Sequence, residues 1–214
     1  MLSIIFDKLR RIINAPLTLW LVLAWPSLPV LWDFYENNRY FAEMMSNTGV
    51  LSIQLMVLTL SITPLMLLFK HWEIGKQVMR WFLKRRRYFG IASFGYAALH
   101  LLIYIRDIGD FTNIYLEAFD IAFTVGWLGF LLMVPAALAS NDFSIRKLGT
   151  SWKTLQRLIY PAIILIFVHW LYFEIFWDDA LMWMSALALI KSYHLIYRLV
   201  QRRSLAFRTR RAAT

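Results

Sequence analysis

Histidines are the side chains of this 214-residue chain that are best suited to chemistry, and there are four of them. His100 and His169 lie inside long apolar runs, His71 lies in a basic segment, and His194 lies near the end of the last apolar run. An ionisable side chain within an apolar span is costly and usually faces the interior of a helix bundle. His100 and His169 are therefore the candidate functional pair, whereas His71 is interpreted as a solvated interface residue.

The spacing of these two histidines from the nearest basic residues predicts a matched depth in a membrane. His100 is 13 residues past Arg87, and His169 is 12 residues past Arg157. In an α-helix these separations correspond to rises of about 20 Å and about 18 Å. If both helices run from the inner to the outer side, the two imidazoles lie at nearly the same level, toward the outer leaflet.

Two imidazoles at one depth on two parallel helices suit a flat cofactor with one axial ligand from each helix. Imidazole is a good ligand for haem iron, and facing helices build cofactor sites in bundle cores. Tyr104, one turn beyond His100, is expected to pack on a porphyrin. Zinc prefers three or four ligands, and no third candidate is visible at that depth. The alternative is that each histidine only bonds a neighbouring polar group and stabilises helix packing.

His194 has two interpretations. Either it lines a quinone or flavin site near the cytoplasmic face, or it is an interface residue whose polar tip reaches toward water.

The composition predicts an all-α integral membrane protein that must position these residues within a bundle. Hydrophobic residues make up 60% of the chain and charged residues 17%, against about 25% charged residues in a soluble domain. No cysteine is present, which excludes disulfides, iron–sulfur clusters and cysteine nucleophiles. We predict one transmembrane domain over residues 1–214.

Six apolar runs are long enough to cross a bilayer as helices. The first is interpreted as a retained span rather than a cleaved signal peptide, with irregularity at Pro26 and Pro29. Pro64 and Pro135 lie inside later runs, where a membrane helix tolerates proline. The predicted spans are residues 16–32, 50–69, 88–105, 118–139, 158–177 and 180–197.

Charge alternates between the segments that connect the spans. Most of the 23 lysines and arginines fall in four segments, and most of the 13 acidic residues fall in the three segments between them. Basic loops stay in the cytoplasm, so six spans place both termini inside. This distribution argues against nucleic-acid binding, and the basic residues are also expected to meet anionic lipid headgroups. The basic segments are residues 1–11, 70–87, 146–157 and 191–211, and the acidic ones are 33–43, 106–120 and 174–179.

Several motifs resemble those of a known family. They are Thr48-Gly49, Ile62-Thr63-Pro64-Leu65, Arg86-Arg87-Tyr88-Phe89-Gly90, Leu99-His100-Leu101, and Arg146-Lys147-Leu148-Gly149 followed by Trp152. Their order and spacing are similar to the MsrQ (YedZ) family, the haem-binding membrane subunit of the periplasmic methionine sulfoxide reductase system. That family belongs to the wider ferric-reductase-like transmembrane group. The resemblance extends from about Thr48 to the end of the sixth predicted span.

The resemblance implies a haem b with His100 and His169 as axial iron ligands, in the bacterial cell inner membrane. It implies that electrons come from the quinone pool or from a cytoplasmic flavin reductase. They would pass to MsrP, a soluble periplasmic molybdopterin enzyme that reduces methionine sulfoxide in oxidised proteins. FMN is a further implied cofactor. The chain would then be an electron-transfer subunit of an oxidoreductase system rather than a stand-alone enzyme.

Two departures from the family pattern affect the expected cofactors. Gln156 occupies the position where the family often has another histidine. Glutamine is a poor haem ligand, which argues against a second haem unless His194 contributes. Phe119-Asp120 precedes Thr124-Val125-Gly126 where the family tends to carry a basic pair, so Arg106 becomes the candidate partner for haem propionates.

The sequence is also compatible with two other functions. The same haem could serve a ferric-chelate reductase or another transmembrane metalloreductase. A cofactor-free membrane scaffold or a small transporter is the alternative from another class, although a transporter would more often show repeated or broken spans around a central site.

Overall fold

The computed structural model describes residues 12, 14–36, 40–174 and 177–212, with the backbone alone for 205–212. The basic amino-terminal residues up to 11, the end of the fifth predicted span at 175–176 and the side chains of the basic tail beyond 204 lie outside the described residues. In the described part all regular structure is helical. The helices are α1 (Pro16–Ala24), α2 (Ser27–Tyr35), α3 (Phe41–Leu68), α4 (Glu73–Ile108), α5 (Phe111–Glu117), α6 (Ile121–Leu138), α7 (Asp142–Leu148), α8 (Ser151–Arg157), α9 (Ile159–Phe173) and α10 (Asp178–Ala212).

Four helical segments among the described residues are long and apolar enough to cross a membrane: Phe41–His71, α4, α6 and Ser151–Phe173. The bent pair α1 and α2 makes a fifth if it is counted as one span. The sixth predicted span lies within α10, which is not among these segments. The six-span count and the cytoplasmic position of both termini stay predictions.

The irregularity expected in the first span is confirmed at Pro26, whereas Pro29 lies within α2. α1 and α2 meet at an angle of 53°, and the break falls at Trp25 and Pro26. Proline lacks the N–H that would continue the helical ladder and clashes with the preceding turn. The carbonyl of Leu23, next to this break, accepts a hydrogen bond of 2.7 Å from the hydroxyl of Tyr96 on α4.

Proline also explains a second break, which lies where the fifth span is predicted to begin. The segment that precedes His169 is divided at Leu158 into α8 and α9. Pro161 lies in the first turn of α9, where its missing N–H costs little. Pro64 and Pro135, in contrast, remain inside continuous helices, as expected.

The chain separates into two compact units. The first contains residues up to Met56 and Arg87–Phe173, and the second contains Val57–Arg86 and the residues from Glu174 onward. In the second unit the ammonium group of Lys70 donates to the hydroxyl of Tyr197 at 3.2 Å. The single-domain organisation stays a prediction.

A reciprocal pair of serines fixes the register of α3 against α4 in the first unit. The Ser52 hydroxyl donates to the Ser93 carbonyl, and the Ser93 hydroxyl donates to the Ser52 carbonyl, both at 2.8 Å. Both serines are buried. Seven residues further along α4 is His100, and seven residues back along α3 is Met45. Because seven residues are about two helical turns, this register brings His100 to the backbone of Met45.

Small residues let α6 pack closely against α9. Ala122, Gly129 and Ala136 are buried on one face of α6, and Ala162 is fully buried on α9. Small residues at helix interfaces allow close approach of two backbones in membranes, where dispersion rather than the hydrophobic effect drives association. The backbone of α6 is therefore within reach of side chains on α9, including that of His169.

Candidate functional site

The structure brings the rings of His100 and His169 together within the first unit. Their centroids are 6.2 Å apart, and the ring planes are perpendicular to each other. Both side chains are half-buried. His100 comes from α4 and His169 from α9, so the pair joins two helices that are distant in sequence.

A main-chain carbonyl holds the ring of His100. The Nδ1 atom of His100 lies 2.9 Å from the carbonyl oxygen of Met45 on α3. A carbonyl can only accept, so Nδ1 carries the proton and donates it. In the neutral ring this leaves Nε2 unprotonated, with its lone pair free to bind a metal.

The ring of His169 is held in the same way by a different helix. Its Nδ1 atom lies 2.7 Å from the carbonyl oxygen of Ala122 at the start of α6, so it too must donate. The ring also packs against Phe173, with centroids 4.9 Å apart. Each histidine therefore has an oriented ring and one nitrogen that is available for coordination.

The separation of the rings fits one metal ion between them. A metal–imidazole bond is about 2.0 Å long, so imidazoles on opposite sides of one ion have centroids roughly 6 Å apart. Among the described residues there is no group of three or more histidine, cysteine or acidic side chains that could hold a metal ion. A metal bound by His100 and His169 would therefore take its other ligands from a group such as a macrocycle, and the residues present fit a haem.

Tyr104 lies in an aromatic cluster next to the histidine pair. Its ring is 5.5 Å from that of Phe123 and 6.5 Å from that of Trp127, and Phe123 in turn lies 5.1 Å from Phe173. The Tyr104 hydroxyl donates to the Glu117 carboxylate at 3.0 Å. Contact between Tyr104 and a porphyrin stays a prediction.

The other predicted site residues divide between the two units, with Arg106 in the first and His194 in the second. Arg106 is exposed, with its guanidinium carbon 4.3 Å from the ring centroid of Phe34. His194 is half-buried on α10 in the second unit, and His71 is exposed. The roles of Arg106 and His194 in cofactor binding stay predictions.

Sequence reasoning named two glycines only as parts of motifs and did not predict that they lie against the histidine rings. Gly49 follows Met45 by one turn on α3, and Gly126 follows Ala122 by one turn on α6. A Cβ at Gly49 would lie 3.1 Å from Nδ1 of His100, and a Cβ at Gly126 would lie 2.6 Å from Nδ1 of His169. A glycine inside a long apolar helix is the signal that could have marked this close approach.

Comparison with known proteins identifies the family. The model of the ferric reductase like transmembrane component matches residues 48–167. A Brucella anthropi protein named protein-methionine-sulfoxide reductase heme-binding subunit MsrQ is 33% identical over 156 residues, which cover 68% of this chain and 66% of that protein. A Brucella ovis protein of the same name is 32% identical over 167 residues, covering 72% and 70%. The chain belongs to the MsrQ family. No solved structure gives a significant match.

Membership of the MsrQ family, together with the long apolar helices, makes this a multi-pass membrane protein. The matched segment contains Gly49, His100 and Gly126 and ends two residues before His169. It therefore includes α6 and most of the elements that surround the histidine pair. The chain spans about two thirds of the length of the MsrQ relatives that it matches.

Proposed function

We propose that this chain binds one haem b between His100 and His169 and transfers electrons across the bacterial inner membrane. The electrons would come from the quinone pool, or from a cytoplasmic flavin reductase, and would pass to the periplasmic molybdopterin reductase MsrP. The observation that carries the proposal is the pair of carbonyl-anchored imidazoles, 6.2 Å apart. The names of the MsrQ relatives, which include haem binding and methionine sulfoxide reduction, support it.

The anchoring carbonyls prepare both imidazoles for coordination. Donation of Nδ1–H to Met45 and Ala122 fixes the tautomer and the ring orientation. Such hydrogen bonds also raise the basicity of the ligating nitrogen. When bound, the haem would supply one-electron redox chemistry, at a potential set by its ligands and surroundings.

With both His100 and His169 holding the iron, the site would favour one-electron transfer over binding of a substrate at the metal. Reduction of one methionine sulfoxide consumes two electrons and two protons and releases one water. A one-electron carrier must therefore turn over twice for each sulfoxide that the partner repairs.

The proposal includes a topology in which both termini are cytoplasmic and the histidine pair lies toward the periplasmic side. The basic segments, with anionic lipid headgroups around them, support this orientation. A quinone or FMN site on the cytoplasmic side, near His194, would complete the path. Arg106 would pair with the haem propionates, and Tyr104 would pack on the porphyrin.

A visible spectrum of the detergent-purified protein tests the haem assignment. We expect a Soret band that shifts on addition of dithionite and is lost in His100→Ala and in His169→Ala. His71→Ala is the matched control, because His71 is exposed and should leave the spectrum unchanged. A folded, colourless wild-type protein would refute the proposal and favour a cofactor-free scaffold.

A ferric-chelate reductase is the second candidate, because the matching family model is that of a ferric reductase like transmembrane component. Reoxidation of the dithionite-reduced haem separates the two functions. We expect methionine sulfoxide to reoxidise the haem only when a periplasmic fraction containing the reductase is present. Fast reoxidation by a ferric chelate, without that fraction and without any response to sulfoxide, would favour the metalloreductase.

A further inference from the structure

Each histidine of the pair meets its acceptor carbonyl beside a glycine one turn further along the same helix. Met45 is followed by Gly49 on α3, and Ala122 is followed by Gly126 on α6. In an α-helix the carbonyl of residue i points toward residue i+4. A side chain at i+4 therefore stands beside the oxygen that the imidazole must reach.

The space at Gly126 leaves no room for a side chain. A Cβ there would lie 2.6 Å from Nδ1 and 2.8 Å from Cε1 of His169. The ring cannot move away without cost, since Nδ1 is bonded to Ala122 at 2.7 Å and the ring packs on Phe173. A methyl group at this position would therefore lengthen or break the bond that fixes the ring.

The space at Gly49 is tight to a lesser degree. A Cβ there would lie 3.1 Å from Nδ1 and 3.3 Å from Cε1 of His100. A shift of a few tenths of an ångström would relieve this contact. Substitution of either glycine is therefore expected to displace a histidine ring, and the displacement should be larger at Gly126 than at Gly49.

We propose that Gly49 and Gly126 are positioning residues that let the imidazoles of His100 and His169 lie against helix backbones, where carbonyls fix their orientation toward a metal. The proposal rests on the haem-binding function proposed above. Without these contacts, a glycine in an apolar helix would be explained by close helix packing alone. Substitution of either glycine would displace the ring of a histidine ligand, while the histidine residue itself is retained.

Two other glycines of the first unit supply matched controls. A Cβ at Gly129, also on α6, would meet a side-chain carbon of Ile166 on α9 at 2.8 Å. Gly129→Ala therefore disturbs the same helix pair without touching a histidine. A Cβ at Gly95 on α4 meets nothing within 4 Å, so Gly95→Ala reports the effect of helix propensity alone.

The experiment compares Gly126→Ala, Gly49→Ala, Gly129→Ala and Gly95→Ala with the wild-type protein in detergent. Haem content per chain, midpoint potential, the low-spin electron paramagnetic resonance signal and thermal stability are measured for each. We expect Gly126→Ala to weaken haem binding by about 10- to 100-fold, which is the usual effect of losing the hydrogen bond that orients a ligating histidine. Gly49→Ala should retain haem with a shifted potential and an altered low-spin signal. Gly129→Ala should lower thermal stability without changing the signal. Gly95→Ala should leave the signal unchanged and raise thermal stability slightly, because alanine has a higher helix propensity than glycine.

A wild-type haem signal that is unchanged in both Gly126→Ala and Gly49→Ala would overturn the positioning role and leave the proposed function intact. Equal haem loss in Gly129→Ala and Gly126→Ala would also overturn it, since helix packing would then explain both. If Gly126→Ala is not recovered as a folded protein, the signal and potential of Gly49→Ala decide. A wild-type protein without haem would instead refute the proposed function.

Discussion

The two ends of helix α6 make the same kind of contact with different side chains. At one end, which we call the histidine end (Ala122, Gly126 and His169), the imidazole donates to the Ala122 carbonyl. At the other end, the glutamine end (Ala136, Ser140 and Gln156), the Gln156 amide donates to the Ala136 carbonyl at 2.8 Å. Gln156 on α8 and His169 on α9, which are 13 residues apart in the sequence, therefore each bond a carbonyl of α6.

The difference between the ends lies in what remains free after that bond is made. The Gln156 amide also donates to the Ser140 hydroxyl at 3.3 Å, so both of its N–H groups are used. Its remaining oxygen is a poor ligand for haem iron. His169 uses Nδ1 for the carbonyl and keeps Nε2 free of that bond. Gly126, four residues after Ala122, leaves space for the imidazole ring. Ser140 occupies the equivalent position four residues after Ala136. The carbonyl contact holds helices together at both ends, and only the imidazole adds a metal ligand.

His169→Gln gives the largest expected effect, because it converts the histidine end into the chemistry of the glutamine end. The amide can still donate to Ala122, so we expect the protein to fold and to lose its haem. Haem content and thermal unfolding of the same sample check this. A Soret band that persists in His169→Gln at the wild-type level would mean that His169 is not a ligand.

Gln156→Ala is expected to have the opposite profile. It removes the two hydrogen bonds of the glutamine end, which should lower the free energy of unfolding by about 1–2 kcal/mol. The haem spectrum and the haem content should remain those of the wild type. Loss of haem on this substitution would show that the glutamine end contributes to the cofactor site.

Trp152→Phe is expected to have the smallest effect. The Trp152 indole donates to the Ala139 carbonyl at 2.8 Å, next to the glutamine end. Phenylalanine keeps most of the packing and loses this bond, so unfolding should be easier by about 0.5–1 kcal/mol. Thermal unfolding of Trp152→Phe and Gln156→Ala, measured side by side, shows which variant loses more stability. A larger loss of stability for Trp152→Phe would show that the indole contributes more than the amide to the stability of the glutamine end.

Apolar run length predicted most of the helical segments but not their ends. The run that begins at residue 50 lies in a helix that starts at Phe41, because polar residues such as Glu43 and Asn47 also fit its first turns. The short helices α5 and α7 have seven residues each, which is too short for an apolar run that crosses a membrane. Their starts are set instead by Asp110 and Asn141, whose side chains accept from backbone N–H groups two and three residues later.

The histidines of the candidate site could be found from the sequence because ionisable side chains are rare in apolar spans. Their anchors could not be found, because the carbonyls of Met45 and Ala122 are main-chain groups that every residue carries. Only the register set by Ser52 and Ser93 selects the first of them. The two glycines were visible in the sequence, but their role depends on which helices become neighbours.

The most direct test of the central claim is the near-infrared magnetic circular dichroism of the oxidised protein, since its charge-transfer band reports the two axial ligands of a haem. We expect one haem per chain with a pair of imidazole ligands, and loss of that band in both His100→Ala and His169→Ala. A band from any other ligand pair, or an unchanged band in either variant, would contradict the account.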